Sequence, residues 1–261
     1  MKFKYLFNSK KYFMYKNQNV CSIIKENNYS IVYNNNLNPK YSLFFFAGFM
    51  DNGPEYIDIF INQFLSHPLL SNVRIIIPSV PKYHNNPESK HFLYKKNILD
   101  TTSWFNTKNN TPTHENLIFF KEKDEIIINL VKDEINLVGE KNIIFVGFSM
   151  GSRYYIHILE QMNIKIFHCF AFKSFLFYYE QNNEDYLKTT KGNNCSVFYS
   201  TNDKIVVYDA VVYQMELWKR YFGDVELKLN EGRKHLFQSD EMSYLVERLV
   251  TLMNCNNKSK F

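Results

Sequence analysis

The sequence contains 261 residues, 45% of them hydrophobic and 22% charged, which is long enough for one large or two small domains with a substantial buried core. Its formal charge of +5 is spread along the chain without a block of Lys and Arg, so we predict no nucleic-acid partner. Four widely spaced cysteines without a C-x-x-C pair argue against a disulfide framework and a zinc site, and they favour a reducing compartment.

The N-terminal part of the sequence is unlike a targeting or membrane segment. No stretch of the chain approaches the ~18 consecutive apolar residues of a membrane span. Lys and Asn interrupt residues 1–20, unlike the apolar region of a signal peptide, and the absence of Arg there disfavours a mitochondrial transit peptide. We therefore expect a cytoplasmic protein without a transmembrane segment, and we leave open whether its basic, aromatic N-terminus makes transient contact with a membrane surface.

Short strand-like runs alternate with helix-like stretches over most of the chain. This pattern predicts an α/β fold with a mostly parallel central sheet flanked by helices on both faces. Several of the runs are continuously apolar, as expected for strands covered on both faces. The predicted strands are residues 30–33, 43–47, 73–78, 143–147, 166–172, 195–199 and 225–229.

Three stretches show helical spacing, with apolar residues three or four positions apart: 126–138, 211–222 and 242–253. Acidic residues precede the first of them, at the end that favours negative charge, and Ser239 is predicted to cap the last.

The chain shows no internal repeat and no linker that would divide it. Residues 82–116 have little periodicity and much Asn, Pro, Ser and Thr, which is typical of a functional or disordered loop. We predict one domain over residues 1–261, with residues 1–40 as a divergent N-terminal extension or as edge strands.

The most specific signal is an apolar strand that runs into a G-x-S-x-G pattern at residues 147–151 and then into a helix-compatible stretch. This spacing places Ser149 on a tight, strained turn between strand and helix, where the two glycines let neighbouring backbones pass close by. The turn would lift the Ser149 hydroxyl out of the sheet and leave the Met150 backbone N–H at a helix N-terminus, where it could stabilise an oxyanion. The alternative is an ordinary glycine-rich turn whose serine caps the helix.

A nucleophilic serine needs a base that is oriented by a carboxylate, and in α/β-hydrolases the chain order is Ser, then Asp or Glu, then His. Asp203 lies in the loop after the predicted strand 195–199. Asp209 is the rival acid, but it lies at the start of the next helix, where an acid favours the helix dipole for structural reasons. We therefore prefer Asp203.

His235 occupies the last loop between a strand and a helix, where the base is expected. The other six histidines fit less well, because four precede the serine and two fall on a predicted helix and a predicted strand. These are His67, His84, His91, His114, His157 and His168. The alternative for His235 is an exposed loop histidine.

With these residues placed, the sequence resembles the acyl-protein thioesterase, phospholipase and carboxylesterase family of α/β-hydrolases over about residues 43–253. The family's oxyanion loop usually reads H-G-L-G-D-x-G, and residues 47–53 read A-G-F-M-D-N-G. Ala47 replaces the histidine and Met50 replaces the second glycine. Because the donor of this loop is a backbone N–H, the resemblance still implies the Phe49 N–H as an oxyanion donor beside that of Met150.

Two further segments carry the resemblance. Residues 103–106 read S-W-F-N, similar to the family's S-W-F-D, and they follow a strand that ends in P-S-V-P. The acid and base segments are matched by Asp203 with Val206 and by Gly232 with His235. The resemblance implies a substrate pocket shaped by four residues: Gly48, Met50, Trp104 and Phe105.

The sequence therefore predicts a serine hydrolase that cleaves the ester or thioester bond of an acyl substrate through an acyl-enzyme, without a metal or organic cofactor. An acylated protein, a lysophospholipid and a small ester all fit the catalytic groups, and the resemblance alone ranks the first two above the third. The alternative is a catalytically impaired homologue that binds acyl chains or a protein, because Ala47 and Met50 depart from the family pattern. A peptidase would share the catalytic triad of Ser149, His235 and Asp203, but nothing in the sequence indicates one. The oligomeric state stays open.

Overall fold

The computed structural model describes residues 10–14, 20–34, 38–84, 100–107, 117–176, 192–207, 210–231 and 234–258. Within these residues a nine-stranded sheet forms the centre of the molecule, and two short hairpins lie beside it. The strands are β1 (Lys10–Met14), β2 (Val20–Lys25), β3 (Tyr29–Asn34), β4 (Tyr41–Phe46), β5 (Val73–Pro78), β6 (Lys82–His84), β7 (Asp100–Thr102), β8 (Phe105–Thr107), β9 (Leu117–Phe119), β10 (Ile143–Phe148), β11 (His168–Phe172), β12 (Cys195–Ser200) and β13 (Val225–Asn230).

The helices of the described residues cover the sheet. They are α1 (Ile57–Ile59), α2 (Lys121–Val138), α3 (Met150–Met162), α4 (Val211–Tyr221) and α5 (Ser239–Lys258). A 3₁₀ turn (Gly53–Tyr56) and a π-helical turn (Phe60–Phe64) flank α1, so residues 53–64 form one continuous helical segment. None of the helices in the described residues is long and apolar enough to cross a membrane.

The main sheet is mostly parallel, as the sequence predicted. Its strand order is β1-β2-β3-β5-β4-β10-β11-β12-β13. The pairs from β5 to β13 are all parallel, whereas β1, β2 and β3 extend the sheet at one edge as antiparallel strands. All seven predicted strands are observed within two residues of their expected ends.

The sequence left residues 1–40 as an extension or as edge strands, and the structure places β1 and β2 at the edge of the sheet. The hairpins β6–β7 and β8–β9 were not predicted; β6, β7 and β8 occupy part of the supposed loop 82–116, and β9 follows it. Sequence reasoning also misplaced the cap of α5. Ser239 is the first helical residue, and the Glu241 carboxylate accepts a hydrogen bond from the Gln238 backbone N–H at 2.8 Å. The residue at the cap position is therefore Gln238, held by an acid three positions later.

The alternation of side chains along β4 explains how helices come to lie on both faces of the sheet. Phe46 contacts Tyr154 of α3 at a ring separation of 5.8 Å, whereas Phe45 contacts Tyr56 at 4.8 Å and Phe60 at 5.1 Å in the helical segment 53–64. Because neighbouring residues of a strand point to opposite faces, α3 and the segment 53–64 pack on opposite sides. The abundant phenylalanine thus fills the core of both layers.

Candidate active site

Four loops meet at the carboxyl edge of the sheet. They follow β4, β10, β12 and β13, whose neighbours in this part of the sheet are parallel. Parallel strands end at the same edge, and ligand sites of open α/β sheets lie there. The fold therefore brings together the loop at 47–53 and the residues Ser149, Asp203 and His235.

Ser149 lies between β10 and α3 with φ at 52°, a left-handed conformation that non-glycine residues rarely adopt. Its backbone N–H donates to the Phe172 carbonyl at the end of β11, at 2.9 Å. A Cβ at Gly147 would approach the Ser152 backbone to 2.5 Å, and one at Gly151 would lie against the carbonyls of Phe46 and Ala47. The turn thus has the strain and the close backbone contacts that the G-x-S-x-G spacing predicts.

The His235 imidazole joins Ser149 to Asp203. Its Nε2 lies 2.9 Å from the Ser149 Oγ, and its Nδ1 lies 2.7 Å from Asp203 Oδ2. In the tautomer whose Nδ1–H donates to the carboxylate, the Nε2 lone pair accepts the serine hydroxyl hydrogen. The arrangement allows His235 to act as a general base toward Ser149.

Asp203 is buried, and its environment favours the ionised form. Its Oδ1 accepts backbone N–H groups of Ile205 at 2.8 Å and Val206 at 3.0 Å. Burial alone raises the pKa of this carboxyl, but the hydrogen bonds from His235, Val206 and Ile205 and the charge of His235 together bring its pKa below the ordinary value. The carboxylate is therefore charged at neutral pH and can orient the imidazole.

The lowered pKa makes this carboxylate a source of stability that depends on pH. A carboxyl whose pKa is lower in the folded than in the unfolded protein stabilises the fold at pH values above its unfolded pKa, about 3.8. This stabilisation is lost as the pH falls through the pKa that the carboxyl has in the folded protein. We expect Asp203→Asn to lower Tm at pH 6 and the difference from wild type to shrink between pH 4 and 2.5.

Thermal unfolding monitored by circular dichroism in steps of half a pH unit measures this difference. Asp58→Asn, at an exposed position on α1, is the control and should follow wild type throughout. A difference that stays constant down to pH 2.5 would contradict the assignment of an ionised, stabilised Asp203.

The loop after β4 is fixed by its own hydrogen bonds. Asp51 Oδ2 accepts the Gly48 N–H at 3.1 Å and the Tyr56 hydroxyl at 2.9 Å. Burial raises the pKa of the Asp51 carboxyl, although the hydrogen bonds from Tyr56 and Gly48 and the charge of His235 oppose the rise. Asp51 therefore closes the loop on itself, directly before the segment 53–64.

Residues of β7 and of the turn after it hold the same loop from the other side. Met50 N–H donates to the Thr102 carbonyl at 3.0 Å, and the Thr102 hydroxyl donates to the Asp51 carbonyl at 2.9 Å. Trp104 Nε1–H donates to the Ala47 carbonyl at 2.8 Å. The Met50 N–H is thus engaged with Thr102, and the role of the Phe49 N–H as an oxyanion donor stays a prediction.

Met50 has φ at 62°, at the position where the resemblance expects a glycine. A left-handed conformation costs a residue with a side chain about 1 kcal/mol, which explains the glycine of the family pattern. Met50 is 49% exposed and borders a cavity of about 770 Å³, which Thr102 and Lys123 also line. Ser149, Asp203 and His235 do not line this cavity.

The expected pocket role of Trp104 and Phe105 needs correction. Both side chains are 0% exposed. Trp104 stacks on Tyr154 at a ring separation of 4.3 Å, and Phe105 packs edge-on against Phe119 at 5.3 Å. Their large apolar rings are enclosed by aromatic neighbours, so neither ring lines an open pocket. Trp104 instead holds the loop 47–53 through its hydrogen bond to Ala47.

Gly48 is buried in the same loop, and a Cβ there would lie 2.8 Å from Asp51 Oδ2 and 3.1 Å from the Phe148 ring. It thus provides room for the loop to close, while contact with a substrate remains a prediction. Sequence reasoning did not single out Tyr56 or Thr102, since isolated polar residues outside a motif give no signal. Asp209, the rival acid, and Gly232 lie outside the described residues.

The described residues contain no group of three or more His, Cys, Asp or Glu side chains that could hold a metal ion. The chemistry available at the carboxyl edge of the sheet is that of a serine hydroxyl, an imidazole, a carboxylate and backbone N–H groups.

The sheet, its order and the strained strand-turn-helix at Ser149 define an α/β-hydrolase fold. Residues 27–253 match the phospholipase/carboxylesterase family, and the chain belongs to that family. No curated protein sequence matches the chain.

Solved structures support the fold at low sequence identity. SOBER1 of Arabidopsis thaliana is 16% identical, with a TM-score of 0.63, over 82% of this chain and 99% of that one. Acyl-protein thioesterase 2 of Zea mays is 16% identical, with a TM-score of 0.60, over 82% and 94%. A phospholipase/carboxylesterase of Dyadobacter fermentans is 15% identical, with a TM-score of 0.55, over 86% and 97%.

Proposed function

We propose that the protein is a serine hydrolase that cleaves the ester or thioester bond of an acyl substrate. The observation that carries the proposal is the continuous hydrogen-bonded chain from the Ser149 hydroxyl through His235 to Asp203, set on a strained turn at the carboxyl edge of the sheet. Membership of the phospholipase/carboxylesterase family supports hydrolysis as the reaction class.

In the first half of the reaction, Ser149 Oγ attacks the carbonyl carbon while His235 Nε2 takes its proton. Negative charge develops on the carbonyl oxygen, and the backbone N–H groups of Met150 and Phe49 stabilise it. His235 then protonates the departing alkoxide or thiolate as the tetrahedral intermediate collapses to the acyl-enzyme.

In the second half, a water molecule attacks the acyl-enzyme carbonyl and His235 accepts its proton. The second tetrahedral intermediate releases the carboxylic acid and returns the proton to Ser149. Throughout, Asp203 stabilises the imidazolium form of His235 and keeps Nε2 directed at the serine.

We expect an apolar acyl group to contact the exposed apolar side chains that lie next to Asp203 and His235 in the chain. Ile205 follows Asp203 by two positions and is 59% exposed, and Leu236 follows His235 directly and is 46% exposed. An acylated protein and a lysophospholipid are the substrates we propose first, followed by small esters, with the cytoplasm as the compartment.

Turnover of a substrate panel tests the proposal. The purified protein should be labelled by a fluorophosphonate at Ser149 and should release fatty acid or thiol from at least one of a p-nitrophenyl ester, a palmitoylated peptide and lysophosphatidylcholine. If the protein is not labelled and hydrolyses none of them, the proposal that it is an enzyme is refuted. Binding of the same acyl compounds, measured by calorimetry, would then support the alternative of a catalytically impaired homologue.

A further inference from the structure

Lys173 is a buried lysine next to the turn that carries His235, and it has no role in the proposed mechanism. It follows β11 with φ at 48°, and its side chain is 1% exposed. A lysine is rarely buried unless its ammonium is fully paired, and the left-handed backbone is rarely adopted by residues with a side chain. Two unfavourable features thus coincide at one residue.

The Lys173 ammonium donates hydrogen bonds to two backbone carbonyls and forms an ion pair with one carboxylate. Nζ lies 2.7 Å from the Lys234 carbonyl, 2.8 Å from the Leu236 carbonyl and 2.6 Å from Glu241 Oε1. The Glu241 side chain is 2% exposed, so the ion pair is enclosed by protein. Coulomb attraction between such groups is strong where water is excluded.

The two carbonyls belong to the residues on either side of His235. The Leu236 N–H also donates to the Lys234 carbonyl at 2.8 Å, which closes a three-residue turn with His235 at its centre. The ammonium therefore bridges both ends of this turn. Through Glu241, which accepts the Gln238 N–H, it also joins the turn to the start of α5.

The end of β11 contacts both Ser149 and the turn that carries His235. The Phe172 carbonyl accepts the backbone N–H of Ser149, and the next residue along the chain, Lys173, holds the turn that carries His235. A single strand end thus sets the position of the nucleophile relative to the base.

We propose that Lys173 is a positioning residue for the base, fixing the backbone on both sides of His235 and so keeping Nε2 within hydrogen-bonding distance of the Ser149 hydroxyl. The inference rests on the proposed function, because it concerns the geometry of the same proton transfer. Lys173 does not touch the reacting atoms, so it acts on the rate of the chemical step and leaves substrate binding unchanged.

Lys173→Met tests the inference, with three readouts: kcat and KM on a p-nitrophenyl ester, Tm, and hydrogen-deuterium exchange of residues 234–238. Misplacing a catalytic group by about 1 Å lowers rates by up to about 100-fold. We expect kcat to fall roughly 10- to 100-fold with KM within about threefold of wild type, and the amides of the turn to exchange faster. Tm should fall as well, because Glu241 is left as an uncompensated buried charge.

The double variant Lys173→Met/Glu241→Gln separates positioning from stability. It leaves no buried charge at the site and keeps a side-chain carbonyl for the Gln238 N–H, so Tm should recover towards wild type. We expect kcat to stay low and the turn to stay mobile in exchange. Recovery of kcat and of protection together with Tm would overturn the inference.

Arg74→Met is the matched control. Arg74 pairs with the buried Glu134 at 2.9 Å, on elements away from the His235 turn. This variant should lower Tm while kcat and the exchange of residues 234–238 stay at wild-type values. An equal loss of kcat in Arg74→Met would assign the effect of Lys173→Met to general destabilisation and overturn the inference.

The exchange measurement distinguishes failure of this inference from failure of the proposed function. If wild type is not labelled and hydrolyses no substrate of the panel, the proposed function fails, and unchanged protection of residues 234–238 in Lys173→Met would still refute the positioning role. If wild type is active but Lys173→Met keeps both kcat and protection, only the positioning role fails.

Discussion

Replacing Ser149 with alanine should abolish ester and thioester hydrolysis, with kcat falling by roughly 10⁴-fold or more. The hydroxyl is the proposed nucleophile, and neither the hydrogen-bonded His235 nor the oxyanion donors can replace the acyl-enzyme it forms. Residual turnover above the uncatalysed rate is expected from the oxyanion site alone. Initial rates on the substrate that wild type turns over best, together with fluorophosphonate labelling, measure the effect.

Circular dichroism and Tm show whether Ser149→Ala keeps its fold. We expect little change, because alanine occupies the same strained φ with one atom fewer. Ser71→Ala is a matched control in which a serine hydroxyl that bonds to the Pro68 carbonyl, away from the site, is removed. Equal turnover by Ser149→Ala and wild type would refute the serine mechanism.

The second large effect is expected for Gly151→Ala, which should cost about 3 kcal/mol of stability or more and lower kcat about 100-fold. The added Cβ would lie 2.6 Å from the Ala47 carbonyl and closer still to that of Phe46. Both are backbone atoms at the end of β4, so α3 and β4 must move apart. This movement displaces the Met150 N–H from the oxyanion loop.

Urea unfolding and steady-state kinetics measure these two losses. Gly192→Ala provides the control, because a Cβ there meets only the flexible Lys165 side chain, at 3.5 Å. It should stay within about 1 kcal/mol of wild type and keep full activity. A Gly151→Ala variant as stable and active as Gly192→Ala would mean that the turn between β10 and α3 is less tightly packed than these contacts imply.

The core strands and the three chemical groups of the site could be read from the sequence for a physical reason. Continuous apolar runs such as 143–147 are required wherever both faces of a strand are covered, and parallel strands bring the residues after them to one edge. Chain order then selected Ser149, Asp203 and His235, and the structure places the imidazole of His235 within hydrogen-bonding distance of both other side chains. The substrate panel and the Ser149→Ala variant test their catalytic roles.

Other features left no sequence signal because they depend on packing between distant segments. Trp104 was expected in a pocket, yet it donates to Ala47, 57 positions earlier in the chain, and is enclosed by Tyr154 and Phe46. Lys173 was not singled out, since one lysine after an apolar strand is normally a solvated residue. The bounds of the edge strands β1 and β2 were not predicted, because lysine and serine interrupt their short apolar patterns.

The left-handed backbone at Met50 shows that the shape of the loop 47–53 depends on contacts with a distant part of the chain. A glycine would adopt this conformation by its own preference, whereas methionine resists it. The conformation persists because Thr102 and Trp104, more than fifty positions further along the chain, hold the Met50 N–H, the Asp51 carbonyl and the Ala47 carbonyl. The conformation that a glycine would adopt by itself thus depends on one remote segment, residues 102–104, and we expect substitutions there to shift the loop 47–53.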